Sequence, residues 1–482
     1  MKRRVLVILI ALAISIVFGA CDYSVENETE EKNDGSHSVE ASTNENDTNK
    51  SDAGEGSLDQ SDTKETENGD MNEANTGDDF ASVGIYEKYD LDSYMTPIWA
   101  GGVVHNETVM FVGIDDNASL LYDADQIISV RSYDLMTEYV KGVDYDYIEG
   151  KLVLLEGTRI PYVPLETYYS VLDPEYPYLS TMYQGQVTQT MFGDGNTMTK
   201  WQVAVTYKHS DTWEGKKIES YDDRFANFIG KLENGEDVTV FFYGDSITTG
   251  ATSSQSRAPY APSYPRMFVQ YVAKQYGYTV KYVDSYSDDK LTNGKPSGGQ
   301  KHEDSVYGTN GTITYINTAV GGWNTQNGLD NLQAYVISYI KEYGCDLFVL
   351  AFGMNNGGSK ASDVTITMRQ IVQGISKVAS ETDVVLVSTM IPNPEAVKNP
   401  ADKYYCNGNQ ATFEEAMYPL AENIQKNIKG GCAVAPMTSV SQYIHSQKRY
   451  RDTTGNNVNH PSDFLARTYA QVIYQTVFGY DN

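Results

Sequence analysis

Four short segments of the sequence contain residue types that together can perform acyl transfer. Ser246 lies in "FFYGDSITTG", directly after an apolar run. The other segments are "AVGGWN" with Gly321 and Gly322, "AFGMNN" with Asn355, and "NNVNHPSDF" with His460. A serine hydroxyl attacks a carbonyl carbon efficiently when a base removes its proton and hydrogen-bond donors stabilise the negative oxygen that develops. The segments therefore predict a serine nucleophile, a histidine base and an oxyanion hole.

Each segment also has a purely structural interpretation. Ser246 suits the N-cap of a helix, and the two glycines suit a tight turn. Asn355 suits a turn closed by its own side chain, and His460 suits a packed residue at the start of a helix. The catalytic interpretation is favoured because the first three segments follow successive strand-like runs, and His460 comes just before the last helix-like run.

The elements that must position these residues alternate between strands and helices from about residue 236 onward. Apolar runs such as "DVTVFFYG" and "DLFVLAFG" predict buried strands, and "GLDNLQAYVISYIKEYG" has the spacing of an amphipathic helix. This alternation predicts a parallel sheet with helices on both faces, which binds ligands beyond the carboxyl ends of its strands. We therefore expect an α/β domain over residues 226–482.

Residues 83–225 have a different rhythm. Short runs rich in β-branched and aromatic residues, such as "ETVMFVGI", "KLVLLEG" and "WQVAVTYKH", are separated by turn residues. This pattern predicts an all-β sandwich. Within it, "GDGNT" at 193–197 is interpreted as a hairpin turn rather than a calcium-binding loop.

Over residues 236–480, about half of the chain, the sequence resembles the SGNH (GDSL-type) hydrolases. "YGDSIT" is similar to the block with the nucleophile, Ser246, and "NHP" to the block with the base, His460. "INTAVGGWN" and "FGMNN" are similar to the blocks with the oxyanion residues, Gly322 and Asn355. The resemblance implies a flavodoxin-like three-layer α/β/α fold and ester hydrolysis, often deacetylation of carbohydrates. The preceding β-rich part resembles, in arrangement alone, the jelly-roll module of one group of bacterial carbohydrate esterases.

Two positions depart from the family pattern. Asn356 stands where the third block usually has aspartate. Asn457 stands three residues before His460, where the family usually has the aspartate that orients the histidine. A neutral amide orients the ring but adds no negative charge beside the imidazolium. We therefore expect either a Ser-His dyad, with Asn457 or a backbone carbonyl accepting the Nδ1 proton, or a different acid such as Asp452.

The N-terminus predicts export. Residues 1–21 combine basic residues, an apolar stretch and small residues before Cys21, which is typical of a lipoprotein signal with a lipidated cysteine. A membrane anchor helix is the alternative. Residues 22–82 are predicted to be an acidic disordered linker, since residues 22–80 contain 19 acidic residues and three lysines. We expect a lipid-anchored protein on the cell surface of a bacterium, with no other contact to the membrane.

Composition narrows the possible partners. The net charge of −29 argues against nucleic acid. The scattered histidines lack the spacing of metal ligands, so neither a metal nor another cofactor is predicted. Cys345 begins an apolar strand and is interpreted as a buried thiol, and Cys406 with Cys432 is the more plausible disulfide pair.

The leading hypothesis is an exported carbohydrate O-acetylesterase acting on an acetylated polysaccharide or oligosaccharide. Ser246 would attack the acetyl carbonyl, His460 would act as base and then acid, and Gly322 N–H, Asn355 Nδ2 and Ser246 N–H would hold the oxyanion. One alternative is a lipase or lysophospholipase, which needs an apolar acyl groove, whereas the segment after Ser246 is small and polar. The other is a glycan-binding lipoprotein with a decayed hydrolase site, for which Asn457 and Asn356 are the evidence.

Overall fold

The structure of the protein is a computed structural model that describes residues 90–171, 179–283, 291–292, 295–296, 303–394 and 408–480. All of them belong to one compact unit. The predicted signal segment, Cys21 and the acidic linker lie outside the described residues. Within the described ranges, no helix combines the length and the apolar character that crossing a membrane requires.

Residues 90–209, the β-rich region, consist of short strands and two short helices. In chain order these are α1 (Leu91–Met95), β1 (Val103–Val112), β2 (Asn117–Ser119), β3 (Gln126–Ser132), β4 (Glu138–Tyr139), β5 (Tyr145–Ile148), β6 (Lys151–Leu154), β7 (Tyr162–Val163), α2 (Leu165–Tyr168), β8 (Tyr169–Ser170), β9 (Ser180–Tyr183), β10 (Gln186–Thr190) and β11 (Gln202–Lys208). They form one five-stranded sheet, β4-β3-β11-β1-β7, and two three-stranded sheets, β8-β10-β9 and β2-β6-β5. A jelly-roll arrangement of these sheets stays a prediction.

Residues 226–480, the α/β region, alternate strands and helices. In chain order these are α3 (Ala226–Glu233), β12 (Val238–Gly244), α4 (Tyr264–Tyr276), β13 (Thr279–Tyr282), β14 (Leu291–Thr292), β15 (Lys295–Pro296), β16 (Ser305–Val306), β17 (Thr312–Asn317), α5 (Thr325–Asp330), α6 (Ser338–Tyr343), β18 (Leu347–Ala351), α7 (Ala361–Ser376), β19 (Asp383–Val387), α8 (Phe413–Gln425), β20 (Cys432–Ala435), α9 (Met437–Gln447), α10 (Tyr450–Thr453) and α11 (Asp463–Val477). A π-helical turn, Gln333–Ile337, precedes α6.

The main sheet of the α/β region has seven strands in the order β16-β13-β17-β12-β18-β19-β20. All neighbouring strands are parallel except β16, which runs antiparallel to β13 at one edge. The strands β12, β18 and β19 are buried along their whole length. The predicted parallel sheet is therefore present, and its central strands are covered on both faces.

The side chains of β12 show how the two faces are covered. Phe241 and Tyr243 belong to a hydrophobic cluster with residues of α7 and α8. Val240 and Phe242 belong to a second cluster with residues of α4 and α11. Because successive side chains of a strand point to opposite faces, β12 lies between two layers of helices.

The second cluster also extends into the β-rich region, since it contains Val109 and Val205 together with Phe464 of α11. Lys448 and Glu107 form a fully buried ion pair across the same contact. The predicted division at residues 225 and 226 thus separates two kinds of secondary structure but does not divide the hydrophobic core.

Of the two cysteines proposed as a disulfide, Cys432 is a buried free thiol at the start of β20. Cys406 lies outside the described residues. Cys345 is also a buried free thiol, as its apolar surroundings in the sequence predict.

Candidate active site

Ser246 is presented by the central strand of the sheet. β12 is buried throughout, and the chain leaves it at Gly244, two residues before the serine. A Cβ atom at Gly244 would lie 2.5 Å from the carbonyl oxygen of Ala351 on the neighbouring strand, so only glycine fits there. Ser246 is 9% exposed at the carboxyl end of the sheet. Its Oγ lies 2.8 Å from Nε2 of His460, a hydrogen-bonding distance.

His460 lies in the loop between α10 and α11. A β-bridge between Thr454 and Pro461 closes this loop, and the amide of Gly455 donates to the carbonyl of His460 at 2.9 Å. The segment that follows the nucleophile holds the loop from the other side, because Thr252 Oγ1 donates to the carbonyl of Pro461 at 2.7 Å. The polar residues after Ser246 therefore contribute to the support of the histidine.

The other ring nitrogen of His460 contacts a carboxylate from the β-rich region. Nδ1 lies 2.8 Å from Oδ1 of Asp194, which is in the loop after β10. The hydrogen bond with His460 lowers the pKa of Asp194. Because an ionised carboxylate accepts and does not donate, Nδ1 carries the hydrogen and Nε2 is the nitrogen that can accept the serine proton. Sequence reasoning missed this residue: it interpreted 193–197 only as a turn, and no local pattern connects Asp194 with His460.

The two side chains that the sequence offered as partners of the His460 ring, Asn457 and Asp452, form no hydrogen bond to it among those described. Asn457 has a left-handed backbone, with φ of +61°. Its Nδ2 donates away from His460, to the carbonyl of Met191 at 2.9 Å and to the hydroxyl of Tyr168 at 3.2 Å.

Asp452 is fully buried and is bound by other groups. It accepts from Arg449 Nε at 3.0 Å and from the backbone amide of Met110 at 2.9 Å. These contacts join α10 to β1 and hold the carboxylate away from the histidine loop, so the expectation that it replaces the missing acid does not fit the structure.

The predicted oxyanion residues lie around Ser246, after β17 and β18, the two strands that flank β12 in the sheet. A Cβ atom at Gly321 would lie 3.7 Å from the Cβ of Ser246, and Gly322 has φ of +80°. Asn355 lies in a 3₁₀ turn, Met354–Asn356, after β18. Its Nδ2 donates one hydrogen to the carbonyl of Trp323 at 2.9 Å, and the same nitrogen carries a second hydrogen. The structure thus brings Gly322 and Asn355 together beside Ser246.

Asn356, the other departure from the family pattern, joins these two strand ends. Its Oδ1 accepts from the amide of Thr325 at 3.1 Å, and its Nδ2 lies 3.1 Å from Thr325 Oγ1 and 3.3 Å from Ser359 Oγ. The asparagine accepts from the backbone amide and donates to the hydroxyls, whereas an aspartate would have to accept from all three partners. The amide at this position therefore has a structural role of its own.

A second aspartate directly precedes the serine. Asp245 is buried, and burial raises its pKa to about 6. Its Oδ1 accepts from the amide of Ile247 at 3.1 Å, which shapes the turn at Ser246. This carboxylate supports the backbone of the turn and forms no hydrogen bond to the imidazole among those described.

A cavity of about 390 Å³ opens over these groups. Its walls come from both regions: the β-rich region contributes Phe192 and Asp194, and the α/β region contributes Val458 and Asn459 in addition to the serine, histidine and oxyanion residues. Among the residues that the structure describes, no group of three or more histidine, cysteine, aspartate or glutamate side chains is arranged to hold a metal ion.

Comparison with known proteins gives matches among solved structures only. No protein-family model and no curated protein matches the chain. Among solved structures, a two-domain esterase active on acetylated mannans, co-crystallised with mannopentaose, is 17% identical with a TM-score of 0.35, and the match covers 54% of each chain. The chain thus spans about half the length of that esterase.

Two further solved structures are similar over about half of the chain. A catalytic mutant of Axe2, an acetylxylan esterase from Geobacillus stearothermophilus, is 12% identical with a TM-score of 0.33, and the match covers 50% of this chain and 94% of that one. LAE5, an alpha/beta hydrolase from the metagenome of Lake Arreo in Spain, is 9% identical with a TM-score of 0.34, and the match covers 51% and 97%. Likenesses of this size do not assign a function, which must be inferred from the geometry of the site.

Proposed function

We propose that this protein is a serine esterase of the SGNH type that removes O-acetyl groups from carbohydrate. One observation carries the proposal: Ser246, His460 and Asp194 form a continuous hydrogen-bonded chain, with 2.8 Å at each link. This chain ends beside Gly322 and Asn355 at the carboxyl edge of a parallel sheet. The relay and the adjacent donors are the two parts that acyl transfer through a serine requires.

In the first half of the reaction, Oγ of Ser246 attacks the acetyl carbonyl carbon while Nε2 of His460 takes its proton. The charge of Asp194 stabilises the imidazolium that forms and keeps the Nδ1 hydrogen in place. The backbone amides of Gly322 and Ser246 and Nδ2 of Asn355 donate to the oxyanion. His460 then gives the proton to the departing sugar oxygen, which leaves as a hydroxyl group, and an acetyl group remains on Ser246.

In the second half, a water molecule replaces the sugar. His460 removes a proton from this water, which attacks the acetyl-serine through the same oxyanion contacts. Collapse of the second tetrahedral intermediate releases acetate and returns the proton from His460 to Ser246. The cycle requires no group beyond those in the cavity and water.

The cavity combines apolar surface with polar groups. Phe192 and Val458 are the large apolar residues among those that line it, and the other side chains are polar or glycine. A small cavity with convergent polar groups can take a short acyl group on a polar substrate. The hydroxyl-rich rings of a carbohydrate suit a wall that includes Asp194, Asn456 and Asn459.

The alternative of a glycan-binding protein with a decayed site was based on Asn356 and Asn457, and both residues have hydrogen bonds of their own in the structure. Asn356 is hydrogen-bonded to Thr325, and Asn457 donates to the carbonyl of Met191, a contact that a carboxylate could not make. The carboxylate missing from position 457 has a counterpart in Asp194. These contacts support an enzyme.

Two assays test the proposal. Hydrolysis of p-nitrophenyl acetate, butyrate and octanoate should be fastest for acetate, whereas a preference for octanoate would favour the lipase alternative. Release of acetate from acetylated xylan, mannan, pectin and peptidoglycan would then identify the polymer. Binding to a glycan without any hydrolysis by the wild-type protein would favour the binding protein.

We further propose that the chain is exported and held on the cell surface through a lipid on Cys21. The support is the basic, apolar and small-residue pattern of residues 1–21. Labelling with an alkyne palmitate during expression in a bacterial host should mark the wild-type chain but not Cys21→Ala. Equal labelling of both chains would contradict the anchor.

A further inference from the structure

Two consecutive asparagines hold the segment of the β-rich region that carries Asp194. The carbonyl of Asn456 accepts from the amide of Gly193 at 3.1 Å, and its Nδ2 donates to Oδ1 of Asp194 at 3.0 Å. Nδ2 of Asn457 donates to the carbonyl of Met191 at 2.9 Å. Both asparagines are buried. Their contacts therefore reach three of the four residues from 191 to 194.

Asn456 also builds the turn that presents the histidine. Its Oδ1 accepts from three successive backbone amides: Val458 at 2.9 Å, Asn459 at 3.0 Å and His460 at 2.9 Å. The two ends of one side-chain amide thus have different tasks. The oxygen sets the backbone of His460, and the nitrogen holds the carboxylate that faces its ring.

The carboxylate of Asp194 needs a second hydrogen-bond partner to stay in place. The side chain of Asp194 is 68% exposed, and exposed ion pairs contribute little because solvent screens them and the side chains lose entropy when they pair. A neighbouring buried donor restricts the carboxylate to one orientation. Arg257 supports the same loop, since it donates to the carbonyl of Gly195 at 2.9 Å.

We propose that Asn456 and Asn457, the asparagine clamp, are positioning residues that fix Asp194 against His460. The proposal rests on the esterase function proposed above. It explains why asparagine at position 457 is compatible with catalysis. This side chain does not supply the carboxylate itself but helps to hold Asp194, a carboxylate of the β-rich region, beside His460. An aspartate at 457 would face the carbonyl of Met191, so it should not replace the acid.

Asn456→Asp tests the first half of the clamp. The variant keeps an oxygen for the three backbone amides but replaces the donor to Asp194 with a second carboxylate. We expect kcat for p-nitrophenyl acetate to fall about 10- to 100-fold with KM unchanged, the usual cost of losing a hydrogen bond to a charged group. In an Asp194→Asn background the same change should cost less than about threefold, because the amide at 194 can donate to the new carboxylate. A residue that only stabilised the loop would cost the same in both backgrounds.

Asn457→Gly tests the second half. Glycine tolerates the φ of +61° and removes the contacts to the β-rich region. We expect kcat to fall about tenfold with KM unchanged, because a loosened Asp194 stabilises the imidazolium of the transition state less. Asn106→Gly is the matched control, since Asn106 also has a positive φ, of +43°, but lies in β1 away from the cavity. It should leave kcat and KM unchanged.

Three results would overturn the clamp: equal losses for Asn456→Asp in both backgrounds, an unchanged Asn457→Gly enzyme, or recovery of activity in Asp194→Asn by adding Asn457→Asp. The failure of the esterase proposal looks different. In that case the wild-type protein hydrolyses no ester, or Ser246→Ala keeps the full activity.

Discussion

The β-rich region and the α/β region each place one aspartate near the proposed nucleophile, and the surroundings of these two carboxylates are opposite. Asp245, in the α/β region, is 1% exposed, and burial raises its pKa to about 6. Asp194, in the β-rich region, is largely exposed, and its hydrogen bond with His460 lowers its pKa. The imidazole is paired with the exposed carboxylate and not with the buried one.

The two regions therefore contribute different groups to the proposed site. Strand ends of the α/β region supply the serine and the oxyanion donors, which need fixed positions on a rigid scaffold. The β-rich region supplies a carboxylate that stays ionised, as stabilisation of an imidazolium requires. On the proposed mechanism the β-rich region is therefore part of the catalytic machinery and does more than bind carbohydrate.

The largest effect is expected from Ser246→Ala, which removes the nucleophile contributed by the α/β region. Hydrolysis of p-nitrophenyl acetate should fall on the order of 10⁴-fold or more, as it does in serine hydrolases that lose their nucleophilic hydroxyl. The thermal midpoint should change little, because the hydroxyl lies at a strand end and its one described side-chain contact is His460. A fluorophosphonate probe should label the wild-type protein but not the variant. Activity beyond a trace would contradict the assignment of the nucleophile.

Asp194→Asn tests the contribution of the β-rich region. An amide can donate to Nδ1 and so favour the wrong tautomer of His460, which costs a buried triad about 10⁴-fold in kcat. Because Asp194 is exposed, we expect a smaller fall, on the order of 10²- to 10³-fold. Loss of the negative charge also removes the stabilisation of the imidazolium that forms in the transition state, so the fall should appear in kcat more than in KM.

Asp115→Asn provides the control, since Asp115 is another exposed aspartate of the β-rich region. It should leave the rate unchanged. Equal rates for the wild-type protein and Asp194→Asn would mean that the β-rich region takes no part in the chemistry.

Asn355→Ala tests the second strand end of the α/β region. We expect kcat to fall on the order of 10²- to 10³-fold, the usual loss for one oxyanion donor. KM should change little, because the charge on the oxygen develops only in the transition state. Steady-state kinetics with p-nitrophenyl acetate would show this split. An effect confined to KM would instead indicate that Asn355 binds the sugar.

Asp245→Asn gives the smallest expected effect, and it concerns stability. A carboxyl group whose pKa is raised by folding binds more protons in the folded state, so its contribution to stability falls as pH rises from about 4 through 6. The variant lacks this titration. Its free energy of unfolding relative to the wild-type protein should therefore improve between pH 4 and pH 7 by up to about 3 kcal/mol, since one pKa unit corresponds to about 1.4 kcal/mol.

Urea unfolding of both proteins at the two pH values measures this change. A stability difference that is the same at pH 4 and pH 7 would show that Asp245 is not an unusually costly buried charge. Asp245 and Asp194 would then not differ in the way that their surroundings indicate.

Much of the α/β region could be read from local sequence. Apolar runs of strand length that alternate with amphipathic helices predict a parallel sheet, and the carboxyl ends of such strands lie along one edge. For this reason Ser246, Gly322 and Asn355, each placed after such a run, come together in the structure. His460 could be placed near them because the last helix packs on the same sheet.

The local sequence did not predict which carboxylate pairs with His460. Asp194 and His460 are 266 residues apart, and no pattern in either segment refers to the other. Their contact depends on how the β-rich region packs on the α/β region, through a shared apolar cluster and the buried pair of Lys448 and Glu107. The family pattern pointed to position 457, but a left-handed backbone turns that side chain toward Met191.

The sequence by itself therefore predicted the proposed nucleophile, base and oxyanion residues, together with the layered sheet that holds them. These follow from short-range periodicity and from the direction of parallel strands. Only the tertiary structure decided which carboxylate serves the histidine and which one is buried. Both depend on contacts between segments that are distant in the chain, where burial and hydrogen-bond partners arise only after the two regions have packed together.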